Sequence, residues 1–225
     1  MRTLCIGIDP SLRGTAIAAV VDGNVFKYEG WTDKKYAANA HPELHWYKPK
    51  DSQDDQRIHR SVQVADWVIE KVQSWQRLVG LPAFVSIEGY AMSQRSNRYS
   101  DLCELGGLIK QHLWRARIPY RIYTPQHPKM AWAGSGRAEK QAMIEACLRH
   151  TGIDLTHYCD SADNLADAIL LSMLLDCELV ARFDLQRHLP SKPHEVLTRQ
   201  TKKDVAILDR PFILFKRERF RDPIY

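Results

Sequence analysis

The stretch that decides the fold lies near the start of the chain, at Thr3 to Val20, and reads TLCIGIDPSLRGTAIAAV. Its first part, Leu4 to Asp9, is a run of mainly apolar residues that ends in a carboxylate. Such a run predicts a central strand covered on both faces, because a half-exposed strand would alternate apolar and polar residues. An ionised aspartate there is costly unless a cation or a hydrogen-bond donor compensates it. Asp9 is therefore a candidate functional residue, and its alternative role is to cap the turn at Pro10.

The composition is that of an ordinary folded protein with one sizeable core. The chain has 225 residues, 44% of them hydrophobic and 26% charged, which excludes disorder throughout. No apolar run reaches the roughly 18 residues that a membrane span needs, and the N-terminus lacks a signal-peptide pattern. We therefore expect a soluble protein of the cytoplasm.

Cysteine and histidine spacing does not favour a zinc site. The cysteines are scattered without a CxxC pair, which indicates reduced thiols in the core. His41 with His45, and His157 with Cys159, have the spacing of zinc ligands, but neither has a matching second pair. We therefore expect no zinc.

The positive charge of the chain is concentrated at its C-terminal end. Residues 182–225 hold eleven Lys and Arg against six Asp and Glu, which accounts for the whole net charge of +5. We predict a neutral domain at residues 1–179, with a polar insertion at residues 30–56, followed by a basic extension at residues 180–225. The extension suits a polyanionic partner, or it is a peripheral segment that packs on the body or on a partner subunit.

Hydrophobic periodicity predicts an α/β fold. After the first strand, two β-prone runs join at Asp22-Gly23, a dipeptide that favours a type I′ hairpin. A long helix is predicted at residues 57–79 and a further strand at residues 83–87, which ends in Glu88. Glu88 is thus a second carboxylate at the exit of an apolar strand.

The second half of the chain alternates helices with one more strand. A polar, arginine-containing loop is predicted at residues 93–100, a helix at 102–116 and a fifth strand at 120–123. A short helical turn at residues 128–133 precedes two helices, at residues 137–150 and 160–175. This order predicts a five-stranded mixed sheet with a right-handed crossover and helices on both faces.

The last predicted helix carries two aspartates, Asp163 and Asp167, that are four residues apart. Residues at this spacing share one helix face, so their like charges repel. An aspartate in a first helical turn is common, but Asp167 lies too far into the apolar stretch for that explanation. A cation between the two carboxylates would remove the conflict.

A glycine-rich turn precedes the helix at residues 137–150. Gly134, Ser135 and Gly136 lead into Arg137 and Lys140. Free backbone N–H groups at a helix N-terminus suit a phosphate, and the alternative is an ordinary loop and helix cap.

The acids Asp9, Glu88, Asp163 and Asp167 stand where the sheet and the last helix can meet. Hard divalent cations such as Mg²⁺ take oxygen ligands and keep room for a substrate phosphate. Two such ions about 3.5 to 4 Å apart can promote hydrolysis of a phosphodiester. The sequence therefore predicts a site for Mg²⁺, most simply for two ions.

Five motifs in fixed order resemble those of the RuvC-like Holliday junction resolvases, in particular the phage-type members, within the ribonuclease H-like superfamily. The motifs are GIDPSLRG, VSIEGY, ELGGLIK, GSGRAEKQAMI and DNLADAI, and they cover about residues 3 to 177. The resemblance implies a homodimer that cuts four-way DNA junctions by paired nicks with Mg²⁺ or Mn²⁺. It also implies a place in the cytoplasm of a bacterium or of a phage-infected host.

The resemblance assigns roles to individual residues. Asp9, Glu88, Asp163 and Asp167 match its catalytic metal ligands, and Lys140 matches a lysine that lies near the DNA phosphate. In some relatives an aromatic residue after the second acid opens the junction, and Tyr90 lies near that position. The full set of expected DNA contacts is Tyr90, Arg95, Arg98, Gly134, Gly136, Arg137 and Lys140.

Three alternatives stay open at the level of sequence. The first is a broader nuclease that cuts flaps and forks, and the second is a non-catalytic DNA-binding module of the same fold. The third is an actin-like kinase or ATPase, because a strand followed by an acid and Gly14 also suits its phosphate-binding opening. Such proteins repeat their fold, and this sequence has no second copy.

Overall fold

A six-stranded sheet forms the centre of the protein, with β1 (Leu4–Asp9) near its middle. The computed structural model describes residues 2–33, 35–46, 54–89, 98–201 and 204–213. The strands lie in the order β4-β3-β2-β1-β5-β6. The other five are β2 (Ala16–Val21), β3 (Asn24–Thr32), β4 (Leu44–Trp46), β5 (Ala83–Glu88) and β6 (Tyr120–Tyr123).

Seven α-helices accompany the sheet in the described part of the chain. They are α1 (Lys35–Ala40), α2 (Asp54–Val79), α3 (Arg98–Arg115), α4 (Gln126–Ala133), α5 (Lys140–Thr151), α6 (Ala162–Arg182) and α7 (Ser191–Thr198). Two 3₁₀ turns, Thr156–Ser161 and Ile207–Asp209, precede α6 and follow α7. No helix of the described residues is long and apolar enough to cross a membrane.

Strand direction places most carboxyl ends of strands at one edge of the sheet. β1 pairs antiparallel with β2 and β2 antiparallel with β3, so β1 and β3 run in the same direction. The pairs β1·β5, β5·β6 and β3·β4 are parallel. Five of the six strands therefore end at the same side, which we call the carboxyl edge. Binding sites of parallel sheets commonly lie at this side.

Alternating side chains of β1 divide the core into two layers. Leu4, Ile6 and Ile8 pack against α2 and α3 on one face. Cys5 points to the opposite face, where α6 crosses β1 and β2. Because apolar helices cover both faces, β1 reads as an unbroken apolar run, as its sequence predicts.

The predicted hairpin and the mixed sheet are confirmed. Asp22 and Gly23 have φ values of 52° and 83°, the positive angles of a type I′ turn. The sheet has one more strand than predicted, since β4 lies within the insertion at residues 30–56. The described parts of this insertion are not a plain loop, since they hold α1, β4 and the start of α2. The loop predicted at residues 93–100 is helical from Arg98 onward.

The first part of the basic extension contributes to the core. Helix α6 continues to Arg182, and Val196, Leu197, Ile207 and Phe212 are buried beside it. Phe212 has 1% exposure, and its ring lies under the guanidinium groups of Arg121 and Arg182, at 4.7 and 5.3 Å. The predicted boundary at residue 179 stays a prediction.

A buried ion-pair network holds this segment against the sheet. Glu178, with no exposed surface, accepts hydrogen bonds from Arg121 and Arg182 at 2.6 Å and from the Tyr123 hydroxyl. Both arginines also donate to the carbonyl oxygen of Arg210, at 2.7 and 2.6 Å. Because each charge in the network is paired and hydrogen-bonded, its burial is tolerated.

Candidate active site

Asp9 and Glu88 lie side by side at the carboxyl edge. Ile8 and Ile87 are paired in the parallel strands β1 and β5. The next residues, Asp9 and Glu88, therefore lie next to each other at the ends of these strands. Asp9 is 8% exposed and Glu88 is half-buried. A side-chain hydrogen bond joins the two carboxyl groups. Two neighbouring strands thus deliver the first two predicted acids to one place.

Helix α6 is held close to β1, which brings its aspartates to the same place. A β-carbon on Gly7 would lie 2.1 Å from the Ala168 carbonyl oxygen, so only glycine permits this approach. The buried Ser86 hydroxyl lies 3.2 Å from the carbonyl oxygens of both Ile6 and Leu171 and links β5, β1 and α6. Asp167, next to Ala168, therefore faces the end of β1.

The acids influence one another's ionisation. Burial raises the pKa of Asp9 well above its usual value, and the charges of Glu88, Asp167 and Asp163 raise it further. Burial also raises the pKa of Glu88. The pKa of Asp167 is raised to about 7, by burial first and then by the charge of Glu88. Such mutual shifts require the carboxyl groups to be near neighbours.

Two lysines supply positive charge to this cluster. Lys140, the first residue of α5, pairs with Asp163, and this hydrogen bond raises the pKa of Lys140. Its side chain is 82% exposed, so it faces solvent where a substrate would approach. The positive charge of Lys129 of α4 opposes the rise in pKa that burial causes at Glu88 and Asp167.

Lys129 is a site residue that sequence reasoning missed. It belongs to a short helix that follows β6, and β6 ends at the carboxyl edge. Strands β5 and β6 are parallel neighbours, so β6 ends beside Glu88. A lysine that follows β6 closely is therefore expected near the acids once the strand order is known. Without the strand order, nothing in the local sequence connects Lys129 to the acids.

The donor set fits a hard divalent cation, although the acids are not arranged as a ready-made cage. Oδ1 of Asp167 is buried and has no hydrogen-bond partner. Carboxylate oxygens are the ligands that Mg²⁺ and Mn²⁺ prefer. Among the described residues, no group of three or more His, Cys, Asp or Glu side chains has a metal-binding arrangement. The Lys140–Asp163 ion pair neutralises part of the negative charge of the acids in this arrangement.

Asn164 lies between the two aspartates of α6 in sequence but contacts a different element. A β-carbon on Gly14 would lie 2.4 Å from the Asn164 side-chain nitrogen. The amide of Asn164 therefore sits against the loop between β1 and β2. This contact fixes the loop that follows Asp9 relative to α6.

The predicted phosphate loop has a different structure. Gly134 ends α4 with a φ of 77°, and Gly136 lies against Met130 and Gln126 of the same helix. Helix α5 begins at Lys140, so the prediction that Arg137 stands on its first turn is wrong. Gly134 ends α4, and Lys140 is the residue of this motif that reaches the acids. The phosphate contacts expected of Gly134 and Gly136 stay predictions.

The remaining expected DNA contacts lie at or beyond the limits of the described chain. Tyr90 and Arg95 fall outside the described residues. Arg98 begins α3, and its side chain is not described. The roles expected for these three residues stay predictions.

Comparison with known proteins gives a consistent result. No family model matches the chain. The crossover junction endodeoxyribonuclease RuvC of Prochlorococcus marinus strain MIT 9313 is 28% identical over 114 residues, which cover 51% of this chain and 68% of that protein. RuvC of Bifidobacterium adolescentis is 26% identical over 167 residues, covering 74% and 77%.

Solved structures of RuvC share the fold. The Thermus thermophilus RuvC structure matches with a TM-score of 0.53 and 16% identity, over 82% of this chain and 97% of that chain. The T. thermophilus RuvC in complex with Holliday junction substrate also gives 0.53, with 19% identity, over 76% and 90%.

The mixed sheet with helices on both faces is a ribonuclease H-like fold, which the solved RuvC structures share. The two curated relatives that match it in sequence, at 28% and 26% identity, are both RuvC proteins. The chain is RuvC-like in sequence and in fold.

Proposed function

We propose that this protein is a metal-dependent, structure-selective endonuclease that resolves four-way DNA junctions by paired phosphodiester hydrolysis. The names of its relatives support a crossover junction endodeoxyribonuclease, and one solved relative carries a Holliday junction substrate. Two symmetric cuts require two sites, so the active form is a homodimer. The expected place in the cytoplasm stays a prediction, as does the phage-type assignment.

The observation that carries the proposal is the convergence of Asp9, Glu88 and Asp167 with Asp163 at one end of the sheet. A buried cluster of like charges destabilises the fold, and a protein keeps it for a reason. An incoming cation supplies that reason, because the same oxygens become its ligands. The orphaned Asp167 oxygen is the group that gains most from such a partner.

The four acids would hold Mg²⁺ or, as a substitute, Mn²⁺, with two ions in each site. When bound, the ions supply positive charge that polarises the phosphodiester and stabilises the leaving oxygen. Burial raises the pKa of both Asp9 and Glu88, so a bound cation would favour their ionised forms. Lys140 would move from Asp163 to a DNA phosphate, since its side chain is exposed. Asp163 would then be free to bind the metal ion. Lys129 holds positive charge beside Glu88 and Asp167.

The test compares a labelled four-way junction, a fork and a linear duplex of matched sequence with Mg²⁺. The unmodified protein is expected to place symmetric nicks in the junction. Asp9→Asn is expected to bind the junction and leave it uncut. Asp66→Asn is the matched control, because Asp66 is an exposed acid on α2 that pairs with His112.

Each outcome has a clear reading. Equal cutting of forks and junctions would keep the nuclease and reject the resolvase. Cutting that survives Asp9→Asn would reject the proposed site. Loss of cutting in Asp66→Asn would point to a fault of folding instead.

One observation favours a second candidate, a non-catalytic DNA-binding module. Asp163 is engaged by Lys140, and the described residues lack a ready-made group of three metal ligands. Such a module would bind branched DNA with no carboxylate-dependent uptake of Mg²⁺. Calorimetric titration of Mg²⁺ into the unmodified protein and Asp9→Asn separates the two candidates.

A further inference from the structure

The carboxyl edge carries a second surface, which lies outside the acid cluster. Since β3 and β4 run parallel to β1, Trp46 at the end of β4 lies at the same edge as Asp9. The Trp46 side chain is 40% exposed. Lys35 Nζ, from the first residue of α1, lies 5.3 Å from the centre of its ring. An exposed indole beside a cation is therefore presented on the side where the substrate would lie.

The sheet order fixes the separation of this surface from the acids. Strand β4 is three positions away from β1. At a spacing of about 4.8 Å between strands, β4 lies about 14 Å from β1 across the sheet. Asp9 is in register with Leu44, so Trp46 lies two residues farther along the strand direction and about 16 Å from Asp9. Stacked nucleotides rise about 3.4 Å each along one strand, so this distance corresponds to about five nucleotides.

A backbone hydrogen bond connects the loop that follows Asp9 with the segment that follows β3. The backbone N–H of Asp33 donates to the Arg13 carbonyl oxygen at 3.2 Å, which ties the loop after β1 to the chain that leads into α1. The Arg13 side chain is 75% exposed and lies 3.9 Å from the Asp33 carboxylate. Arg13 thus lies on the path from Asp9 to Lys35.

We propose that Trp46 and Lys35 form a second nucleic-acid contact, in which one unpaired base of the strand along the carboxyl edge stacks on the Trp46 indole. Lys35 and Arg13 then lie beside the neighbouring phosphates. The proposal rests on the proposed function, and it concerns how that same substrate is held. Aromatic rings next to cations are the usual platform for single-stranded bases, because every base has a π-face and every nucleotide a phosphate.

The chemistry selects an unpaired base. A base within a duplex has both faces covered by its neighbours, so a surface side chain cannot stack on it. Nucleotides at a branch point are the ones that lose their neighbours at least cost. The insertion that carries Lys35 and Trp46 would therefore favour branched DNA over linear duplex.

The test is a thermodynamic cycle measured by equilibrium binding in EDTA, so that no cutting occurs. One partner is the four-way junction, intact or with a single abasic nucleotide at each of the first five positions from the crossover. The other is the unmodified protein, Trp46→Ala or Trp46→Phe. Trp114→Ala is the matched control, because Trp114 is 58% exposed near the end of α3, where the chain leads into the start of β6 at the opposite edge.

Trp46→Ala is expected to weaken junction binding about fivefold or more, the loss that accompanies one stacked base. An abasic nucleotide at one of the five positions should weaken junction binding by the unmodified protein by a similar factor. It should leave junction binding by Trp46→Ala unchanged. Trp46→Phe should retain most of the affinity, and Trp114→Ala all of it. Lys35→Gln, at an exposed position, should weaken binding without any change in thermal unfolding.

Two results would overturn the inference. One is equal affinity of Trp46→Ala and the unmodified protein. The other is an abasic penalty that is the same in both proteins at every position. Failure of the unmodified protein to bind any branched DNA would instead reject the proposed function, so the two failures are distinguishable.

Discussion

Gly7 and Ala168 are in backbone contact: a β-carbon on Gly7 would lie 2.1 Å from the carbonyl oxygen of Ala168. Asp9 lies two residues beyond Gly7, and Asp167 immediately precedes Ala168. The contact therefore sets how closely α6 approaches the central strand, and with it the spacing of two acids. Ser172 N lies 2.5 Å from the same β-carbon position, so the helix cannot shift by a small rotation to make room.

Gly7→Ala is expected to destabilise the protein by about 3 kcal/mol, the upper range for overpacking of a filled core. It should also reduce junction cleavage at least tenfold, because α6 has to move away from β1 and takes Asp163 and Asp167 with it. Urea unfolding and cleavage assays measure the two effects. Gly107→Ala is the control, since a β-carbon there meets no atom within 4 Å and alanine favours a helix by about 1 kcal/mol. Equal stability of Gly7→Ala and the unmodified protein would contradict the contact.

Asp167→Asn is expected to stabilise the metal-free protein at pH 8 while abolishing cleavage. The pKa of Asp167 is raised to about 7 by burial, so at pH 8 the folded protein holds a carboxylate that burial disfavours. An acid with a raised pKa costs stability above that pKa and costs nothing below its usual pKa near 4. The gain, about 1 to 2 kcal/mol after allowance for partial exposure, should therefore vanish toward pH 4.

Addition of Mg²⁺ tests whether Asp167 is a metal ligand, separately from the stability gained by removing its buried charge. The unmodified protein should unfold at a higher temperature with Mg²⁺, because a ligand of the native state stabilises it. Asp167→Asn should lose most of that shift, and Asp66→Asn should retain it. An unchanged Mg²⁺ response in Asp167→Asn would remove this residue from the proposed ligand set.

Glu29→Gln is expected to lower stability at neutral pH, with a loss that disappears in acid. Burial alone would raise the pKa of Glu29, but hydrogen bonds from His45 and Lys71 and the charge of Lys71 outweigh it and hold the pKa at about 2. A lowered pKa stabilises the fold above the usual value of 4.5, and this contribution is lost as the pH falls toward 2. The shift corresponds to about 3 kcal/mol.

Denaturation of both proteins between pH 7 and pH 2 measures this difference. The two stability curves should converge over the window from about pH 4.5 to pH 2. Glu70→Gln removes an exposed acid on α2, next to Lys71, and its stability curve should run parallel to that of the unmodified protein. Parallel curves for Glu29→Gln would show that the ion pairs of Glu29 contribute nothing.

The features that sequence reasoning recovered are those with a local cause. The strand β1, the hairpin at Asp22-Gly23 and the strand that ends in Glu88 follow from apolar runs and turn chemistry. The crowding of Asp163 and Asp167 on one helix face follows from helical spacing alone. Because these signals lie within a few residues of one another, no knowledge of the tertiary structure is needed.

The features that it missed depend on contacts between distant segments. Strand β4 has three residues, of which only Leu44 is buried. It forms because the backbone of β3 has hydrogen-bonding groups available on the side away from β2. Lys129 acts on Glu88 through space, and Gly134 ends a helix where the same residue type also suits a phosphate loop. The basic composition of the extension gave no sign that Phe212 is buried, because its burial depends on Arg121 of β6.

The burial of Phe212 decides how the basic extension has to be tested. Deletion from Lys192 onward would remove Val196, Leu197 and Phe212 from the core, and the lost packing would mask any effect on DNA. Phe212→Ala alone is expected to cost about 3 to 4 kcal/mol, since it leaves a cavity beneath two paired arginines. Val205→Ala, at a position that is 53% exposed, is its control in thermal unfolding.

A chain that ends at Ile213 keeps these buried residues and isolates the charge of the tail. Residues 214–225 hold four Lys and Arg against two Asp and Glu. If these cations contact DNA, the plot of log affinity against log salt should lose about 0.9 in slope for each phosphate contact removed. The unmodified and shortened proteins would be compared by junction binding at four salt concentrations, with thermal unfolding as the check on folding. An unchanged slope would show that the tail does not contact DNA phosphates, because each lost phosphate contact reduces the slope.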